Sequence, residues 1–135
     1  MKTGYIKIAE NSTVEVKIVD GTVWMTANEI ADLFGIYVPS VNKQLKAIFK
    51  DNLLRENEVT KEHRYTRPEG GEYIRVYYNL DAIIFLSFRI QSLYTKTFRD
   101  WIFHAFSEFS QVDKKQDFVM VYNISTRENS LKNLN

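Results

Sequence analysis

The chain has no cysteine, two prolines and five glycines in 135 residues. Without cysteine there is no disulfide framework, no thiolate nucleophile and no cysteine zinc site, and the composition suits a reducing compartment. Long apolar runs are also missing. The longest, "AIIFLSF" at 82–88, falls far short of the roughly 18 residues a membrane-spanning helix needs. The opening "MKTGYIKIAENSTVEVKIVDG" has no apolar stretch ending in small residues, so no secretory signal is expected. These absences together make a cytoplasmic location the expectation. Net charge is close to nil, at +1 from 18 basic and 17 acidic residues, so total charge does not point to a polyanionic partner.

What is present is a core-forming composition: 44% hydrophobic, with nine Phe, eight Tyr and two Trp, enough for one modest domain. The charge is unevenly placed. Residues 1–38 hold three basic against five acidic side chains, whereas residues 39–67 hold seven against four. The middle third is therefore the basic part, with less asymmetry than in many nucleic-acid binders.

"GYIKI" (4–8) and "TVEVKIV" (13–19) alternate apolar and polar residues around "ENS", which predicts a β-hairpin, and "DGTVW" (20–24) predicts a further turn and a short strand. Thr26 with Glu29 three residues on is a capping box for a helix over 27–34. Ile30, Leu33 and Phe34 share its inner face, and Gly35 ends it. Pro39 suits the first turn of a second helix running to about Asp51, which faces inward through Val41, Leu45 and Ile48. Two strand-like runs then flank "PEGG" within 58–79. Asn79 is the expected cap of "NLDAIIFLSFRI" (79–90), a helix apolar nearly all round and so expected at the core centre. "TKTFRDWIFHAFSEFS" (95–110) places Phe98, Trp101, Ile102, Ala105, Phe106 and Phe109 on one stripe, with Phe103 off it. From Gln111 the chain is polar apart from "DFVMVYN" (117–123), a candidate added strand, and "ISTRENSLKNLN" is expected to fray.

The expected class is α+β: a winged helix-turn-helix-like domain over 1–110, with an N-terminal β-hairpin, a wing hairpin and two C-terminal core helices. A polar tail spans 111–135. The helix-turn-helix spacing has a physical basis: Ala31 lets the second helix approach, Gly35 takes the turn and Val41 pins the second helix, with Ile30, Phe34 and Ile36 around them. One position departs, because the next inward slot falls on Gln44 and the apolar residue is Leu45. With Val41, Leu45 and Ile48 inward, the outward residues are Ser40, Asn42, Lys43, Lys46 and Lys50, the lysines forming one stripe at i, i+3 and i+7. Ser40, Asn42, Lys43 and Gln44 lie where a recognition helix reaches base edges. Asn and Gln suit adenine, Lys suits guanine, and the later lysines suit phosphate. Arg64, Arg67 and Arg75 near the "PEGG" tip would give a wing its hold on the DNA backbone, with Tyr65 beside them. Against this stand the acidic Glu69 and Glu72 at the same tip, and the fact that a lysine stripe is also what a solvated helix face looks like.

The unbroken spacing of Tyr78-Asn79-Leu80-Asp81, Ile83-Ile84, Phe88-Arg89-Ile90, Ser92, Phe98-Arg99 and Trp101 resembles the virulence-associated RhuM family of bacterial proteins. "VWMTANEIADLFGI", "AIF" at 47–49 and "EGGEY" correspond as well, so the resemblance covers about residues 20–109. It implies a DNA-binding-like module related in layout to phage antirepressor N-terminal modules and found near mobile elements, virulence loci or restriction–modification genes. Two departures are "LYT" (93–95), where the family has a basic, glycine-containing link, and a short tail in place of a longer C-terminal part. Read from the residues alone, most of the motif is structural, with Arg89 and Arg99 expected to pair with Asp81, Asp100 or Glu108.

No catalytic constellation assembles. His63 and His104 are the only histidines, neither at metal-ligand spacing, and no phosphate loop follows a strand. The expectation is a non-enzymatic protein without cofactor, metal or small-molecule ligand, partnered by double-stranded DNA and by a second copy of itself. The competing expectation is an antirepressor-like interaction module that binds another regulator and touches no DNA.

Overall fold

The computed structural model describes residues 2–109, 116–123 and 128–133, with backbone only for 107, 109 and 128–133. These form a mixed α+β structure of five helices and two small antiparallel sheets.

The first sheet grows from the alternation seen in the sequence. Strands β1 (Tyr5–Ile8) and β2 (Thr13–Ile18) pair with Ile6 opposite Val16 and Ile8 opposite Val14. Ile6, Val14, Val16 and Ile18 are buried on one face. The opposite face carries Tyr5, whose hydroxyl donates to Glu15, with Lys7 Nζ 4.6 Å from the Tyr5 ring. Asp20 and Gly21 both have positive φ, so the chain turns tightly with Val19 bridged to Thr22. The short strand expected at 20–24 is therefore displaced: the turn uses those residues, and the strand that pairs onward is β3 (Met25–Thr26).

Thr26 and Glu29 form the capping box, with backbone N–H to side-chain oxygen distances of 2.9 and 3.2 Å. It opens α1 (Ala27–Phe34), and Gly35 closes it in the left-handed region at φ 64°. A methyl group at Gly35 would also come within 3.0 Å of the Tyr94 ring. Helix α2 (Val38–Lys50) has Pro39 in its first turn and buries Val41, Leu45 and Ile48 as the spacing predicts. A single turn, α3 (Glu56–Val59), leads into β4 (Thr60–Thr66), which pairs with β5 (Glu72–Tyr78); β3 adds to the far side of β5 at Tyr77 and Tyr78.

Helix α4 (Leu80–Arg89) is capped by the Asn79 side chain, which accepts from Ala82 N at 3.2 Å, and by Thr22, whose hydroxyl accepts from Leu80 N at 3.1 Å. It is one-sided rather than buried all round: Ala82, Ile83, Leu86 and Ser87 face in, while Phe88 is 49% exposed. Helix α5 (Leu93–Phe109) buries Phe98, Trp101 and Ala105, with Ile102 partly covered. Phe106 departs from expectation at 83% exposed. It lies about 80° round the helix from Phe98, at the stripe's edge, where no described element covers it. The Phe109 side chain lies outside the described residues.

The expected acidic partners of Arg89 and Arg99 are not the ones they take. Arg99 donates to the carbonyls of Ser87 and Ile90 and to Gln91 Oε1, meeting the unpaired carbonyls at the end of α4. Arg89 Nε donates to Gln44 Oε1 at 2.9 Å, tying α4 to α2.

"FVMVYN" forms β6 (Phe118–Asn123), an inner strand of the first sheet, which runs β1-β2-β6-β7. Phe118, Met120 and Tyr122 stand opposite Ile18, Val16 and Val14 and join the same core as the helices. The stretch expected to fray contains β7 (Glu128–Asn133), paired to β6; 124–127 and 134–135 lie outside the described residues.

Phe34 and Phe98, both fully buried, meet at 5.8 Å between ring centroids, and Phe98 stacks on Trp101 at 5.2 Å. Phe34→Ala should lower the unfolding free energy by about 3–5 kcal/mol in urea denaturation. Thr26→Ala, which removes only the cap, should cost about 1 kcal/mol.

Candidate nucleic-acid interface

Because Val41, Leu45 and Ile48 fix the rotation of α2, the opposite face is set by geometry. Ser40, Asn42, Lys43, Lys46 and Lys50 are all exposed, and the helix itself contains no acidic residue. Among the described residues the three lysines have no ion-pair partner. Gln44 differs. It is half-buried at the border of the inward face and accepts from Arg89, which explains the slip in the expected spacing: the slot takes a polar residue because a helix-linking hydrogen bond fills it.

The hairpin sorts its side chains by strand alternation. Lys61 stands opposite Tyr77, His63 opposite Arg75 and Tyr65 opposite Tyr73, so these six share one face. Glu62, Arg64, Glu72, Ile74 and Val76 share the other. The three hairpin arginines expected to act together are therefore divided. Arg64 pairs with Glu72 at 3.3 Å on the mixed face, so one tip carboxylate is already neutralised. Arg75 lies on the ring face, 5.2 Å from the Tyr65 centroid and 5.4 Å from that of Tyr73. Arg67 starts the tip turn, accepts from Gly70 N and donates to Gly71 O, and sets its guanidinium 5.1 Å from Tyr73. Gly70 and Gly71 have φ of 101° and 87°, which requires glycine.

The ring face is densely connected. Tyr65 and Tyr73 stack at 5.3 Å, His63 meets Tyr65 edge-on at 4.6 Å, and the Tyr65 and Tyr77 hydroxyls share a 2.6 Å hydrogen bond. Lys61 Nζ sits 4.8 Å from the Trp24 ring. Tyr73, Tyr77, His63, Lys61 and Trp24 were not candidates from sequence. For the four hairpin residues the signal is the alternation of rings and cations at i and i+2 on both strands; Trp24 has no such pattern.

The two surfaces have different supports. Helix α2 packs on α1 and α4, and the hairpin packs on β3, α1 and α3, so α1 contacts both. No helix among the described residues is long and apolar enough to cross a membrane, and no cluster of three or more His, Asp or Glu among them could hold a metal ion. Comparison with protein-family models, with curated proteins and with solved structures finds no match to this chain.

Three phenols are held above the ordinary value of about 10. The Tyr77 hydrogen bond raises Tyr65, the Glu15 hydrogen bond raises Tyr5, and burial raises Tyr78. A group with a raised folded pKa contributes stability that is whole below its unfolded value and is lost as pH rises through the folded one. The stability these three phenols contribute should therefore be lost on the alkaline side, above about pH 10. Tyr77→Phe should return the Tyr65 titration toward its ordinary range, as read by ultraviolet difference titration.

Proposed function

We propose that this chain is a winged helix-turn-helix domain that binds duplex DNA through the outward face of α2 and acts as a cytoplasmic regulator of transcription at mobile-element or virulence loci. The observation that carries this reading is the division of α2. Three apolar residues are spent on packing, while Ser40, Asn42, Lys43, Lys46 and Lys50 stand exposed with no acid on the helix. The N-terminal positions reach base edges and the later lysines reach phosphate. Arg67 and Arg75 supply a second basic surface on the hairpin; Arg64 contributes less, because Glu72 already holds it. The resemblance of residues 20–109 to the RhuM family, which implies a DNA-binding-like module, supports the same reading.

The domain acts as a homodimer in this reading. Phe88 and Phe103 meet edge-on at 6.3 Å with 49% and 70% of their surfaces exposed, an aromatic patch on α4 and α5 that a second copy would cover while supplying a second DNA half-site. The same patch favours the competing reading, an antirepressor-like module whose partner is another regulator.

Fluorescence anisotropy on a mixed duplex across a salt series tests the proposal. Two lysine–phosphate contacts per protomer, from Lys46 and Lys50, make four in the dimer and should give a log–log slope of about −3.6. Lys43→Glu and Lys46→Glu should each weaken binding about tenfold or more, while Lys2→Glu and Lys17→Glu change it about twofold or less. Equal losses at all four sites would remove α2 as the contact, and no binding at low salt would hand the function to the interaction module. Sedimentation should give the mass of two chains, reduced to one by Phe103→Glu.

A further inference from the structure

The hairpin face holds more aromatic surface than a grip on duplex phosphate uses. We propose that it is a second nucleic-acid site, one that binds an unpaired strand by stacking exposed bases on Tyr65, Tyr73 and His63.

Charge is the first argument. On the two strands, the ring face carries Lys61 and Arg75 and no acid, while Glu62 and Glu72 both fall on the opposite face. Arg67 adds its charge from the turn, over Tyr73. A polyanion approaching this hairpin meets cations without acids on one side and a mixed face of Glu62, Glu72 and Arg64 on the other, so the two faces are not equivalent. The second argument is chemistry. Two phenol rings and an imidazole sit in contact, each half-buried, with guanidinium groups 5.1–5.4 Å from the phenol centroids. Aromatic rings and guanidinium planes are the surfaces on which splayed bases stack, and interleaved cations are what tracks the backbone beside them. Paired bases inside a duplex present no free face to such a platform, so the occupant is an unpaired strand. The third argument is order. The Tyr65–Tyr77 hydrogen bond at 2.6 Å and the cross-strand stack hold the platform before any ligand arrives, which lowers the cost of binding.

The site stands on the hairpin alone and does not depend on what α2 binds. Its length, three ring positions along two strands, fits two or three bases. The same rings would also serve as a substitute core for a hairpin that has little else to pack on, and the test must separate the two roles.

Anisotropy at low salt with a labelled oligothymidylate of about 16 nucleotides, and with an oligouridylate of equal length, provides it. Both should bind the wild-type protein, and tighter binding of the uridylate would identify the strand as RNA. Tyr73→Leu keeps an apolar cross-strand pair and should weaken binding about tenfold, whereas Tyr73→Phe keeps the π-face and should stay within about twofold. Circular dichroism melting of each variant records whether the hairpin is retained. If Tyr73→Leu proves unfolded, Arg75→Gln on the same face takes its place and should also weaken binding. Lys46→Glu should leave strand binding unchanged, even if it abolishes duplex binding. Failure of both oligonucleotides to bind overturns the proposal. So does wild-type affinity in a folded Tyr73→Leu, or an equal loss in Lys46→Glu, which would place the strand on α2.

Discussion

The contact between Phe34 and Phe98 joins the last residue of α1 to the second turn of α5, at the heart of the core that the helices share with the first sheet. Phe34 ends α1, so its ring fixes where the chain must turn, and Gly35 makes that turn in a conformation and a space that exclude a side chain. Phe98 carries the contact on to Trp101, from which α5 reaches the first sheet. Loss of this pair would release the α1–α2 corner from the helices beneath it.

Packing then decides what is left for binding. Once Val41, Leu45 and Ile48 are committed to the core, α2 has no freedom to turn, and its remaining residues are presented as a set. The Arg89–Gln44 hydrogen bond adds a lateral tie at the edge of that set. The hairpin follows a different rule. It has few helices to bury its strands against, so cross-strand pairs supply its stability, and alternation separates rings and cations from carboxylates. Both proposed surfaces are thus by-products of how their elements are held, and neither needs a strained backbone or a metal.

The legible parts of the fold were those with local chemistry. The capping box at Thr26 and Glu29, the glycine at 35, the proline at 39 and the asparagine at 79 act within one turn of themselves, so sequence was enough to place them. Burial of Phe106 was misjudged because helical periodicity defines a stripe but not its width; the neighbours decide which edge is covered. The partners of Arg89 and Arg99 were missed for a related reason. Acids are visible in sequence, whereas the free carbonyls at the end of α4 exist only once the helix does. β6 is recognisable as apolar, but its pairing with β2, about 100 residues away, is a long-range contact that no local pattern encodes. In the candidate site, the lysine stripe could be read directly. The separation of Arg64 from Arg75 required the register of the hairpin, which depends on the length of its turn.

The central claim is that α2 offers its outward face to duplex DNA. Amide shift mapping on isotopically labelled protein with a mixed duplex tests it most directly. Changes should concentrate at Ser40, Asn42, Lys43, Lys46 and Lys50, leaving Val41, Leu45 and Ile48 comparatively still. Changes centred instead on Phe88 and Phe103, with the α2 amides unmoved, would contradict it.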